Sequence, residues 1–170
     1  GRDKVASASD RLQALNPRVQ IHTLPLALSG QALTDAVAAV DLVLDCTDNF
    51  TTRQAVNRAC VAARKPLVSG AAIRLEGQLS VFDPRRADSP CYQCLYGDGE
   101  ETALSCSEAG VLGPLVGTIG SLQALEALKL LAGFGTPLVG RLLLLDALDG
   151  RFRELRIPRD PACACCGVGA

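Results

Sequence analysis

Eight cysteines stand in 170 residues, and four of them fall in two pairs of the same spacing, Cys91-x-x-Cys94 and Cys163-x-x-Cys166. A two-residue gap turned by small or polar residues lets two thiolates converge on one ion. Two such pairs supply the four sulfurs of a tetrahedral structural Zn²⁺ site. A redox pair is the competing reading, and no thioredoxin-like strand pattern precedes Cys91 to support it. The interval between the pairs exceeds that of a zinc ribbon, so the metal is expected to tie the end of the chain to a distant loop. Four sulfurs leave no open position for water. Cys165 is a competing ligand, and spacing favours Cys166.

Cys46 follows an apolar run and Cys60 lies on the apolar face of a helical segment, where free cysteine serves as a small hydrophobe. Cys106 differs, because Leu104-Ser105-Cys106-Ser107-Glu108-Ala109-Gly110 is polar and precedes a long apolar helix. A thiol near a helix N-terminus is acidified and can act as a nucleophile. No histidine lies near to serve as its base, so an inert loop cysteine is an equal alternative, and the sole His22 belongs elsewhere. Asp48 and Asn49 end the run Asp41-Leu42-Val43-Leu44-Asp45-Cys46-Thr47-Asp48-Asn49. The end of a strand is where an open α/β sheet places ligand groups. Taken alone, Asp48 reads as a helix-capping acid, Asn49 as a cap and Lys4 as a solvated first-turn lysine.

These residues need elements to hold them. Apolar positions at Val5, Ala8, Leu12 and Leu15 give a helix that stops at Asn16-Pro17. Val19 to Leu24 alternates and reads as a strand, and Gln31 to Val40 as a short helix. The run 41–45, apolar with an acid at each end, reads as a strand buried on both faces. Thr51-x-x-Gln54 can cap a following helix with Ala55, Val56, Ala59, Cys60 and Ala63 on one face. Strands are expected over 67–72 and 78–82, a long loop over 83–110, and a core helix over 111–132. In that helix Gly113, Gly117 and Gly120 are expected to allow close backbone approach. Strands at 142–145 and 152–157 join through Asp149-Gly150 as a hairpin. The alternation predicts an α/β, Rossmann-like fold with a largely parallel sheet and an antiparallel extension, in one domain over 1–170.

A formal charge of −1 and a pI near 5.8 give no basic stripe for nucleic acid. The apolar run 109–125 is shorter than a membrane span needs and contains Pro114 and Gln123. No export signal opens the chain, and eight cysteines without one indicate a reducing compartment, so a cytoplasmic protein with neither nucleic-acid nor membrane partner is expected.

Three longer stretches carry a resemblance: Leu42-Val43-Leu44-Asp45-Cys46-Thr47-Asp48-Asn49, Pro66-Leu67-Val68-Ser69-Gly70-Ala71-Ala72-Ile73-Arg74-x-Glu76-Gly77-Gln78 and Pro90-Cys91-Tyr92-x-Cys94. With Glu108 to Pro114, Gly120 to Glu126 and the terminal cysteine pair, the sequence resembles the MoeB/ThiF family of adenylyltransferases over essentially its whole length. The molybdopterin-synthase branch is nearest in pattern.

The resemblance implies the back half of a ubiquitin-activating-enzyme-like adenylation domain, with Cys91, Cys94, Cys163 and Cys166 as zinc ligands. It implies that a Gly-Gly-tailed, ubiquitin-like sulfur carrier protein is the partner, activated with ATP and Mg²⁺ in molybdopterin or thiamine biosynthesis. Lys4 matches a lysine on the ATP phosphates, and Asp48 an aspartate working with Mg²⁺. Asn49 orients nucleotide or caps, and Asp45 supports the loop. Cys106 matches the position of a covalent link to the carrier in some branches. The family's Gly-x-Gly-Gly-x-Gly phosphate loop is not found here, and Gly133-Phe134-Gly135 follows a helix, the wrong context for it. The expectation is therefore an incomplete chain, inefficient alone, with an apolar sheet edge that a homodimer covers. A zinc-stabilised module that binds the carrier without chemistry is the alternative. A dehydrogenase would need a glycine fingerprint and a hydride-handling group, and neither is present.

Overall fold

The computed structural model describes residues 1–97 and 110–167. Helix α1 spans Lys4–Leu15 and α2 Gly30–Ala38; strand β1 is Val43–Asp45 and helix α3 Phe50–Ala63. Strands β2 (Leu67–Ile73) and β3 (Glu76–Phe82) precede the short helix α4 (Tyr92–Tyr96). The long helix α5 (Gly113–Ala132) leads to β4 (Arg141–Asp146) and β5 (Arg151–Arg156).

The five strands form one sheet in sequence order. β1 and β2 run parallel, with Asp45 opposite Ser69, and the other three pairs are antiparallel. The α/β layering stands, but the largely parallel sheet does not: among the described residues the sheet is mixed, with one parallel pair. The chain returns after β2 through Arg74-Leu75 without a crossover helix, and Arg74 takes the left-handed conformation (φ 50°) that such a tight return needs. β4 and β5 form the expected hairpin around Asp149-Gly150.

The expected strand at Val19–Leu24 is not formed. Its β-branched alternation is suited to pairing, yet among the described residues no neighbouring strand meets it, and backbone polarity alone does not make a strand.

Alternation along β2 sends Leu67 to one face and Val68 to the other. Leu67 and Phe82 pack with Val37 of α2 and with Val56, Ala59 and Cys60 of α3. Val68, Leu79 and Val81 pack under Leu122 and Leu130 of α5. By length and composition α5 could cross a bilayer, but it lies across β2 and β3 with Leu115, Ile119, Gln123, Glu126 and Ala127 buried. Its outer face leaves Leu125, Leu128 and Leu131 exposed. The expected close approach at Gly113, Gly117 and Gly120 is absent, since a Cβ at any of them meets open space. The tight contacts lie in the sheet, where a Cβ on Gly77 would stand 2.7 Å from Ile119 Cδ1 and one on Gly70 would strike the Gln123 amide.

Candidate functional site

β1 ends at Asp45, which is 2% exposed. Its Oδ1 accepts from the Thr47 backbone N–H (2.9 Å) and hydroxyl (2.7 Å), a local turn that reverses the chain just past the strand. Its Oδ2 accepts from Ser69 Oγ at 3.4 Å. Both oxygens are thus occupied with holding the loop, as the supporting role expected of Asp45 requires.

Two further buried side chains pin the same loop, and neither stood out in the sequence. From α5, Gln123 Nε2 donates to Asp45 O at 2.9 Å and to Val68 O at 3.3 Å, while the Cys46 thiol donates to Gln123 Oε1 at 3.6 Å. From α3, the buried Arg53 guanidinium reaches back to Thr47 O and, at 3.4 Å, to Gly70 O. The sequence alone assigns neither of them a structural role, because their partners lie on other elements.

Asn49 is the cap of α3, with Oδ1 accepting from Thr52 N at 2.8 Å, so the helix starts one residue before the Thr51 cap box expected from the sequence. Between these anchored residues Asp48 is exposed, and its carboxylate makes no hydrogen bond or ion pair with a described residue. The structure brings Asp45, Asp48 and Asn49 to one loop at the carboxyl end of β1. Lys4 is exposed at the first position of α1, a helix with no buried residue, and no hydrogen bond or ion pair joins it to that loop. Cys106 lies outside the described residues.

The cysteine pairs meet near the far end of α3. The Sγ atoms of Cys91, Cys94, Cys163 and Cys166 all lie within 4.8 Å of one another and could hold one metal ion. Cys91–Cys163 measures 3.7 Å, Cys91–Cys94 3.9 Å and Cys94–Cys166 3.4 Å. A tetrahedron with metal–sulfur bonds of about 2.3 Å has sulfur–sulfur edges of about 3.8 Å, so the donors need little movement to close on an ion. Each pair is shaped locally: Cys94 N donates to Cys91 O, Gly167 N to Cys163 O, and Arg159 to Ala87 O and Cys166 O.

Asn57, only 1% exposed, links α3 to this cluster. Its Oδ1 accepts from Tyr92 N at 2.9 Å, and its Nδ2 donates to Cys91 Sγ at 3.6 Å and Cys165 Sγ at 3.3 Å. A hydrogen bond from Cys165, foremost among several, draws the Cys91 thiol down to about 4. Burial pushes Cys94 and Cys166 up. Cys91 surrenders its proton to a cation more readily than Cys94 or Cys166 does. Cys60, pushed up to about 12 by burial and the Asp45 charge, is the inert packing residue expected.

The ThiF family matches residues 1–165. The molybdopterin-synthase adenylyltransferase of Escherichia coli (strain K12) is 49% identical over 167 residues, which is 98% of this chain and 67% of that protein. The sulfur carrier protein ThiS adenylyltransferase of the same strain is 47% identical over 166 residues, 98% of this chain and 65% of that protein. The chain thus spans roughly two thirds of the length of these relatives. Among solved structures, E. coli MccB with ATP superposes with a TM-score of 0.80 over 99% of this chain and 52% of its own, at 18% identity, a likeness of fold alone.

Proposed function

The chain belongs to the ThiF family, and we propose on that footing that it serves the ATP-dependent adenylylation of the C-terminal Gly-Gly carboxylate of a ubiquitin-like sulfur carrier protein, as in molybdopterin or thiamine biosynthesis. One observation supports this above the others. The loop after β1 is held by Asp45, Arg53, Gln123 and the Asn49 cap, while the Asp48 carboxylate alone is left free.

Attack of a carboxylate on the α-phosphorus of ATP brings two anions together, and pyrophosphate leaves with further charge. Cations must offset that charge at fixed positions. Asp48 is assigned to hold Mg²⁺, which would supply positive charge against the phosphates. A rigid loop serves this because a mobile backbone would have to be ordered on each binding event. Lys4 is assigned to the phosphates and Asn49 to the nucleotide side of the loop. Cys106 is assigned the covalent link to the carrier in the branches that form one; a thiol-labile adduct in the mass of the protein would reveal it.

The four-sulfur cluster is assigned to Zn²⁺ on the chemistry of the donors, since an all-thiolate tetrahedral set suits that ion. It would fasten residues 163–167 to α4 and, through Asn57, to α3. A homodimer is the assigned assembly, supported by the free edge of β1, where Leu44 is exposed, and by the apolar outer face of α5.

Carrier-dependent exchange of pyrophosphate into ATP, expected to be slow in a chain without the glycine-rich phosphate loop, tests the assignment. Asp48→Asn is expected to lower the rate by about 10²- to 10³-fold without moving the melting temperature. Exchange at the wild-type rate in that variant would end it. A non-catalytic carrier-binding module would instead capture a Gly-Gly-tailed carrier without nucleotide and show no exchange in either protein.

A further inference from the structure

A fifth thiol stands against the four-sulfur cluster, and the metal assignment leaves it unused. Asn57 Nδ2 touches both Cys165 Sγ (3.3 Å) and Cys91 Sγ (3.6 Å), so one amide nitrogen holds the two sulfurs side by side. Cys91, Cys165 and Cys166 share the wall of a cavity of about 380 Å³, ample for a small oxidant. The same wall carries Arg64 and Arg159, together with Arg85 and Arg86, whose charges are paired with Asp83 and Asp88. It lies at the C-terminal end of α3, away from the Asp48 loop at its N-terminal end.

A metal-bound thiolate remains a nucleophile, and a thiol poised beside it without a bond to the ion can resolve its oxidised form. We propose that Cys91 and Cys165 are an oxidation-sensitive pair through which a hydroperoxide opens the metal site. The proposal rests on the metal assignment above and is independent of the adenylylation chemistry. The Cys91 sulfur attacks one oxygen of hydrogen peroxide, the O–O bond breaks and hydroxide leaves, giving a sulfenic acid. The Cys165 sulfur then displaces that hydroxyl, its own proton departs with it as water, and an S–S bond forms. The sulfurs lose two electrons and the peroxide gains two. The arginine-lined wall favours departure of the hydroxide. With Cys91 consumed, three sulfurs remain and the ion is held too weakly to stay.

Metal content of the reduced protein is measured first, and about one zinc per chain is expected in wild type and Cys165→Ala alike. Metal-free wild type would remove the metal assignment and this proposal with it. A metal-free Cys165→Ala variant would make Cys165 a ligand and overturn this proposal alone. Hydrogen peroxide is then added, zinc release is followed with a colorimetric chelator, and disulfides are mapped by peptide mass spectrometry. Wild type is expected to release its ion with Cys91–Cys165 as the main bond, and Cys165→Ala to do so at least about fivefold more slowly. Equal release rates, or a main bond between Cys163 and Cys166 or between Cys91 and Cys94, would overturn the proposal.

Discussion

Replacing Asn57 with alanine should break the joint between α3 and the cysteine cluster. The side chain is buried and makes three contacts at once: it accepts from Tyr92 N and donates to two sulfurs. Truncation leaves the Tyr92 N–H without its partner at a buried position, at a cost of about 1–3 kcal/mol. The two bonds to sulfur, weaker than bonds to oxygen, add about 1 kcal/mol. A total near 3 kcal/mol corresponds in a chain of this size to a fall in melting temperature of about 6–12 °C. Loss of a donor to a metal-binding thiolate should also weaken zinc binding by about 10- to 100-fold. Calorimetry in reducing, zinc-containing buffer and competition with a chelator read the two effects separately. Asn57→Asp separates them further, because it keeps the acceptor for Tyr92 N but sets a carboxylate against the sulfurs. That variant should recover part of the stability of Asn57→Ala while binding zinc more weakly still. If Asn57→Ala melted within about 2 °C of wild type with unchanged zinc affinity, the joint would have to be made by other groups.

Asp45→Ala removes the acceptor of two Thr47 bonds and should lower stability by about 2–3 kcal/mol in urea titration, while Asp45→Asn, which keeps one oxygen, should lose about 1 kcal/mol. Gly70→Ala drives a Cβ into the Gln123 amide and should cost about 2–4 kcal/mol; combined with Gln123→Ala the loss should be clearly less than the sum of the two, and strict additivity would deny the contact. Burial alone would raise the Asp83 carboxyl, but the hydrogen bonds and charge of Arg85 overcome it and hold the group below the usual carboxylate range. A folded-state pKa below the unfolded one stabilises above about pH 4 and is lost as pH falls through the folded value. The stability gap between wild type and Asp83→Asn should therefore narrow on acidification below about pH 4, and a gap that widened would reverse the sign of the interaction.

Local spacing made the four-cysteine cluster legible in the sequence: Cys91, Cys94, Cys163 and Cys166 carry matching gaps and converge in the structure. The Asp45–Asn49 loop was legible for a similar reason, since a short apolar run that stops at an acid marks the end of a strand. Facts that depend on a second segment were not legible. Val19–Leu24 has the alternation of a strand, but alternation states only a capacity to pair, and the partner is a property of the whole sheet. The polar residues of α3 failed in the opposite sense. Arg53, Gln54 and Asn57 lie outside the apolar face read from the sequence, which gave Gln54 only a place in a cap, yet all three are buried. They can be buried because what they meet is itself polar: the exposed carbonyls of a strand-end loop, the carbonyl of Gly97, and a group of sulfurs. Hydrophobic patterning locates a helix against a sheet but is silent on polar groups exchanged between loops. The glycines carry the same lesson, because those in α5 face outward and those in β2 and β3 make room for it. A buried amide or guanidinium is stable only where the loops supply its partners, so α3 is best understood as a polar rod. It fixes the Asp48 loop at one end and the cysteine cluster at the other, and a substitution at either end should be felt through it.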